Sequence, residues 1–436
     1  MDATALAQSI AQGRTSAPAV MEATLARVQA QAGLGAVARL LPPDALPAPA
    51  SGPFSGVPML AKDLGSHARG LAPAAGSGAL RARVTDPDDD SDFFKALRAL
   101  GLVPIGLSTT PEFGFALSAE PPGQPPARNP FDTALSPGGS SGGAAAAVAA
   151  GLVALAHATD AAGSIRVPAA CCGLWGLKPS RDATPMGPDH SNYLMGIVGE
   201  GLLARSLRDL TTALTPFLPR GKASEAPCIA LMIPKRCDPV QAEATRQAAR
   251  LFERAGALVI PTAAPDTLGA EAHEIAGKIL AVSLAEWLDA FAIPDAEVSP
   301  LAAANATLGR AITGTQVFSL TRRIQQITHT AAALFTKADA LLMPILSGPP
   351  PPIGAFPTDH TDVQTHLAKM ESLAPNAALA NIAGLPALAI PLPTATTPTA
   401  VQLIGPRGAD AMLLALAATI APPPIAYPAP LAGMPQ

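Results

Sequence analysis

The sequence predicts a layered α/β fold on a mostly parallel or mixed sheet. Two observations carry that expectation. Apolar strand-like runs alternate with amphipathic helical segments, and strand signals continue on both sides of the Pro-rich run 348–352. That run therefore reads as a stiff loop, not a linker. The 436 residues suffice for one large α/β domain or two ordinary ones, and one is expected.

The elements follow in order. Ser16 stands where it can cap a helix with Val20, Met21, Leu25 and Val28 on one side. Residues 91–100 read as a helix: Asp88, Asp89, Asp90 and Asp92 complement its start, Phe93, Phe94, Leu97 and Leu100 form a stripe, and Gly101 stops it. A strand at 102–105 follows. The same order recurs as strand 228–233, helix 240–254 and strand 258–260. Strands are expected again at 152–156, 340–345, 387–392 and 400–404, with helices at 317–335 and 409–420.

Composition narrows the function classes. Charged residues make up only 14%, against roughly 25% in a typical soluble protein. The 48 prolines suit a protein with stiff loops. Net charge is −4 and no basic cluster exceeds two residues, so no nucleic-acid partner is expected. The most apolar stretch, 144–156, has 13 residues; a bilayer span needs roughly 20. No membrane association is expected. The N-terminus carries no secretory pattern. Cys171, Cys172, Cys228 and Cys237 have no CxxC spacing, and the expected location is the reducing cytoplasm. The seven histidines show no HExxH pattern, so neither metal nor cofactor is expected.

Three segments carry chemistry. The run Ser136-Pro137-Gly138-Gly139-Ser140-Ser141-Gly142-Gly143 precedes an Ala-rich stretch. By itself it fits a flexible loop, an anion nest at a helix start, or a catalytic turn bearing a hydroxyl. Further on, Asp160-Ala161-Ala162-Gly163-Ser164 sets small residues just before a serine, after an apparent strand. Such a turn can aim several backbone N–H groups beside one hydroxyl, as an oxyanion requires; it also fits an ordinary strand-to-helix turn. Lys62 closes the apolar run Gly56-Val57-Pro58-Met59-Leu60-Ala61. A lone lysine is usually solvated, but one ending a buried strand loses its charge more readily and can serve as a base.

Together the motifs GVPxxxKD, GGSSGG and TDxxGSIRxPAxxCGxxGLKP resemble the amidase signature family. Asn381-Ile382-Ala383-Gly384-Leu385-Pro386-Ala387 and Gln402-Leu403-Ile404-Gly405-Pro406-Arg407 extend the resemblance. It covers roughly residues 52–420 and is weakest over 218–338. It implies a single α/β/α domain with a large twisted mixed sheet: N-terminal helices at 1–50, a catalytic core at 52–210, a mainly helical pocket region at 218–338, and core strands and helices at 339–420. It also implies a hydrolase of amides, with esters and carbamates as further substrates, as a monomer or homodimer without cofactor; the low overall charge favours a small uncharged substrate.

Residue by residue, the resemblance makes Ser164 the nucleophile, Ser140 a relay following a cis bond, and Lys62 the base. Ala161, Ala162, Gly163 and Ser164 become the oxyanion donors, with Ser141, Asp160 and Arg166 in support. The family commonly has glycine where Ala162 stands, so the methyl group fits only if φ stays negative there. Two rivals remain. Gly138–Gly142 also fits the G-x-S-x-G elbow of α/β-hydrolases, with Ser140 attacking and His329, His360 or His366 as base. Relatives of the fold also serve as glutaminase subunits of amidotransferases.

Overall fold

Every residue of Val57–Lys62 (β2) is buried. A strand with no exposed face belongs inside a sheet covered on both sides. That is its place in the computed structural model, which describes residues 1–186, 193–218 and 226–428. The other strands are β1 (Val37–Leu40), β3 (Leu102–Ser108), β4 (Leu155–Asp160), β5 (Trp175–Lys178), β6 (Gly199–Ala204), β7 (Cys228–Leu231), β8 (Leu258–Pro261), β9 (Ala340–Pro344), β10 (Ala387–Leu392) and β11 (Thr399–Ile404). They form one 11-stranded sheet in the order β1-β3-β2-β4-β6-β5-β10-β11-β9-β7-β8. β2 runs parallel to β3 and β4, and β7 parallel to β8 and β9; the remaining pairs are antiparallel. The sheet is mixed, as expected.

Alternation along the strands divides the core in two. Met59, Ala61, Leu388 and Ile390 join one cluster with Phe93, Phe94, Leu210, Phe252 and Leu413, which come from helices on that face. Leu60, Ala156 and Ala389 join another with the helices Gly142–Ala149 and Arg166–Cys172. A third cluster packs Ile275, Ile279, Ile324 and Ile327 near Leu341 and Met343. Helices thus cover both faces, an α/β/α layering.

Local signals set the helix ends. Ser16 Oγ accepts the Ala19 N–H at 3.3 Å, and Ser91 Oγ accepts that of Phe94 at 3.4 Å. Gly101 takes φ +93° after the helix Asp92–Ala99. Three expectations need correction. The Ser16 helix is preceded by another, Ala3–Ala11, and residues 1–50 also hold β1. The strand expected at 152–156 lies at Leu155–Asp160, because the chain first turns at Gly151, φ +73°. Its polar half, His157, Thr159 and Asp160, is buried as deeply as its apolar half. The expected helix 317–335 begins earlier, at Gly314, where Thr313 and Gln316 form a capping box.

Candidate active site

Parallel pairing brings the carboxyl ends of β2 and β4 side by side, with Leu60 opposite Ala156. Open α/β sheets bind ligands outside such ends. β2 ends in Lys62 and β4 in Thr159 and Asp160. The Lys62 side chain is fully buried, and its Nζ lies 2.8 Å from Ser140 Oγ, 2.9 Å from Thr159 Oγ1 and 3.4 Å from Thr159 O. Burial lowers its pKa from 10.5 to about 7, against the opposing charges of Glu200 and Asp160. A neutral amine is therefore accessible near neutral pH.

Ser140 follows a cis peptide bond from Gly139 and leads into the helix Gly142–Ala149. A side chain at Gly139 would meet the Ser118 backbone at 2.1 Å, so only glycine passes there. The Ser140 carbonyl accepts Thr110 Oγ1 at 2.9 Å. Ser141 Oγ donates to Thr159 O at 3.2 Å, and the Ser141 N–H donates to Ser164 O at 3.3 Å. One serine segment thus touches both the lysine and the backbone of Ser164.

The turn carrying Ser164 is wound around a carboxylate. Asp160 accepts the N–H groups of Gly163 at 2.7 Å, Ile165 at 3.1 Å and Arg166 at 3.4 Å. The Arg166 guanidinium adds Nε at 2.9 Å and Nη2 at 3.0 Å. Burial alone would raise the Asp160 pKa, but the charge and hydrogen bonds of Arg166 outweigh it and hold the carboxyl well below its usual range. Arg166 also donates to Gln402 Oε1 and Asn381 Oδ1, each at 2.7 Å, and to Ala377 O at 2.8 Å. Ser164 lies 7% exposed at the rim of this arrangement.

Comparison with known proteins gives the constellation its relatives. The amidase family profile matches residues 19–230 and 283–414. The chain belongs to the amidase family. It is 31% identical to AmiC of Mycobacterium tuberculosis, an amidase by name, over 96% of this chain and 93% of that one. It is 37% identical to the 6-aminohexanoate-cyclic-dimer hydrolase of Paenarthrobacter ureafaciens, over 49% of this chain and 44% of that one. A solved structure of 6-aminohexanoate cyclic dimer hydrolase superposes with a TM-score of 0.85 at 28% identity, covering 96% of each chain. Membership makes the protein an enzyme that hydrolyses the C–N bonds of amides.

The amidase differs from the sequence expectation at several points. The Gly163 N–H points to Asp160, which narrows the expected oxyanion donors to Ala161, Ala162 and Ser164. Positive φ in this turn falls on Gly163, at +112°, and not on Ala162, so the methyl group there is unstrained. The charges facing Lys62 are Glu200 and Asp160, and Asp63, its neighbour in sequence, points to the other face. Asp63 instead accepts the N–H groups of Ala74 at 2.7 Å and Gly76 at 2.9 Å. The elbow alternative lacks its lead-in strand: between β3 and the helix Gly142–Ala149 the described chain has only a short 3₁₀ turn and loops. His366, offered there as a base, bonds Phe115 O at 2.7 Å.

Thr159, Asn381, Gln402 and Glu200 were missed as site neighbours. Thr159, Asn381 and Gln402 sit inside motifs already recognised, and their polar side chains were the available signal; Glu200 carries none without the fold. Among the described residues no group of three or more His, Cys, Asp or Glu is placed to hold a metal ion, and no helix is long and apolar enough to cross a membrane.

The helix Asp266–Ala290 lines two cavities near the site. One, of about 790 Å³, reaches Ala162 and includes His273, Ala276, Gly277 and Leu367. The other, of about 610 Å³, lies between Trp287, Phe291 and the residues after Lys62, namely Leu64, Gly65 and Ala75. A Cβ at Gly114 would lie 2.6 Å from Leu64 Cδ2, on the wall of this second cavity, and 3.5 Å from Ser140 Oγ.

Proposed function

We propose that the protein is a serine amidase in which Ser164 attacks, Ser140 relays protons and Lys62 is the base. The observation that carries this reading is the 2.8 Å contact of a fully buried Lys62 Nζ with Ser140 Oγ, on an amine with pKa about 7. Neutral Lys62 takes the Ser140 hydroxyl proton while Ser140 takes that of Ser164. Ser164 Oγ bonds to the amide carbon, and the N–H groups of Ala161, Ala162 and Ser164 receive the oxyanion. Collapse breaks the C–N bond. The leaving nitrogen takes its proton from Ser140, which is reprotonated by the Lys62 ammonium. Water enters by the same relay and frees the acid. Gly163, Asp160, Arg166 and Ser141 hold the turn in shape.

The chain acts as one domain, with residues 218–338 shaping the pocket. The substrate is a small uncharged amide, consistent with apolar Leu64, Trp287 and Phe291 along one cavity and with a structural relative named for a cyclic dimer of 6-aminohexanoate. Esters and carbamates of similar size enter the same acyl-transfer route. A phosphonylating serine reagent tests the assignment. Label on Ser164, and no turnover by Ser164→Ala, are expected; label on Ser140 with an active Ser164→Ala enzyme would refute it.

A further inference from the structure

Beneath the lysine lies a buried polar pair that the relay does not use. His157 is 0% exposed and faces Glu200, also 0% exposed, on the neighbouring strand β6. Its Nδ1 accepts the backbone N–H of Lys62 at 3.1 Å, and its Nε2 contacts Glu200 Oε2. A ring that accepts at Nδ1 is neutral and carries its proton on Nε2, aimed at the carboxylate. The rings of Phe93 and Phe94 flank it at 5.4 Å and 5.1 Å. Glu200 Oε1 accepts the Ser66 N–H at 3.0 Å, so the chain leaving Lys62 is bound to the same carboxylate. Gly65 makes that path possible, because a Cβ there would meet Glu200 Oε1 at 2.8 Å and Thr159 Cγ2 at 2.6 Å.

We propose that His157 and Glu200 are positioning residues for catalysis: the ring fixes the backbone of Lys62, and the carboxylate sets the field its amine works in. This rests on Lys62 being the base. A buried polar pair costs desolvation that an apolar pair would not, and here both members act on the residue that must exchange a proton. The Glu200 charge favours the ammonium, opposing the burial that disfavours it. The other groups facing the amine are Ser140 on the serine segment, and Thr159 and Asp160 on β4, the last paired with Arg166. Ser108 ends β3 opposite Lys62, and Asp63 is tied to Ala74 and Gly76. Arg27, from the helix packed on β2, bonds Leu152 O ahead of β4, at the far end of the strands. Lys178 on β5 bonds Pro179 O, and Asp209 bonds the N–H groups of Ala3 and Thr4.

The test is the pH profile of kcat/KM with an uncharged amide. Glu200→Gln keeps the shape and removes the charge. Its acidic limb should move down by about one pH unit, raising kcat/KM roughly tenfold well below the limb, with KM little changed. A folded Glu200→Gln enzyme with an unmoved limb overturns the inference. If that variant does not fold, the His157→Leu/Glu200→Leu enzyme, with the pair replaced by apolar groups, carries the measurement. It should show the same limb shift and a reduced plateau, and a wild-type limb and plateau overturn the proposal. Lys62→Met separates the two ideas. An active Lys62→Met enzyme overturns the base assignment and this inference with it. An inactive one beside an unmoved Glu200→Gln limb overturns the inference alone.

Discussion

The neighbourhood of Lys62 and the helical region over residues 218–338 are built on opposite terms. Around Lys62, Thr159, Asp160 and Arg166 every named side chain is buried and bonded to others of the set. Across the helices Asp266–Ala290 and Gly314–Ala332, whole faces are open, and Phe318 is 80% exposed. The family profile breaks inside the second region, leaving 231–282 unmatched. That gap holds the start of the helix that lines both cavities. Chemistry shared by a family constrains one region; the shape of each member's substrate is free to reshape the other.

The comparison breaks most visibly at the relay. Lys62→Ala and Ser140→Ala should each lower kcat/KM by several orders of magnitude, on the order of other catalytic-residue deletions. The double variant should be little worse than either, because the two groups pass one proton. Losses that multiply would mean the serine segment is scaffolding like the rest of the core.

A middling effect is expected beside it. Arg166→Met leaves a buried carboxylate without its guanidinium, which typically costs about 3–5 kcal/mol. Urea unfolding should record the loss directly. A variant as stable as wild type would show that the Asp160 turn is held by its backbone donors alone.

The smallest effect belongs to the open region. Trp287→Ala should raise KM by about tenfold for amides with bulky apolar groups, the scale of a lost apolar contact. It should leave the acidic limb of the pH profile in place. A moved limb would make this helix part of the chemistry and erase the contrast.

Legibility in the sequence followed the same division. Strand Ala387–Leu392 and the helix Asp92–Ala99 were readable because apolar spacing and caps are local signals. Lys62, Ser140 and Ser164 were singled out by the family motifs they sit in, since each segment alone also fits a loop, an ordinary turn or a solvated lysine. β4 was displaced by three residues at its start, since His157, Thr159 and Asp160 look like loop until partners from elsewhere bury them. Asn381 reaches Asp160 across 221 positions, at 3.0 Å; its motif marks the residue, but nothing local names its partner. Glu200 is one of many acidic residues until the sheet sets β6 beside β4.

The helix Gly142–Ala149 bears on how such an enzyme can change over generations. All eight of its residues are buried and none is larger than valine. Nearly every substitution adds volume where there is none, at about 1–3 kcal/mol each. At Gly143 a Cβ would strike Thr109 N at 2.3 Å and Ala36 O at 2.6 Å. The segment that presents Ser140 therefore has almost no mutational room. At Gly277, which lines a cavity, a Cβ would meet only the end of the Leu367 side chain, at 2.9 Å, a flexible group on the same cavity wall that can shift. New specificities are open to this chain through one helix while the other stands still.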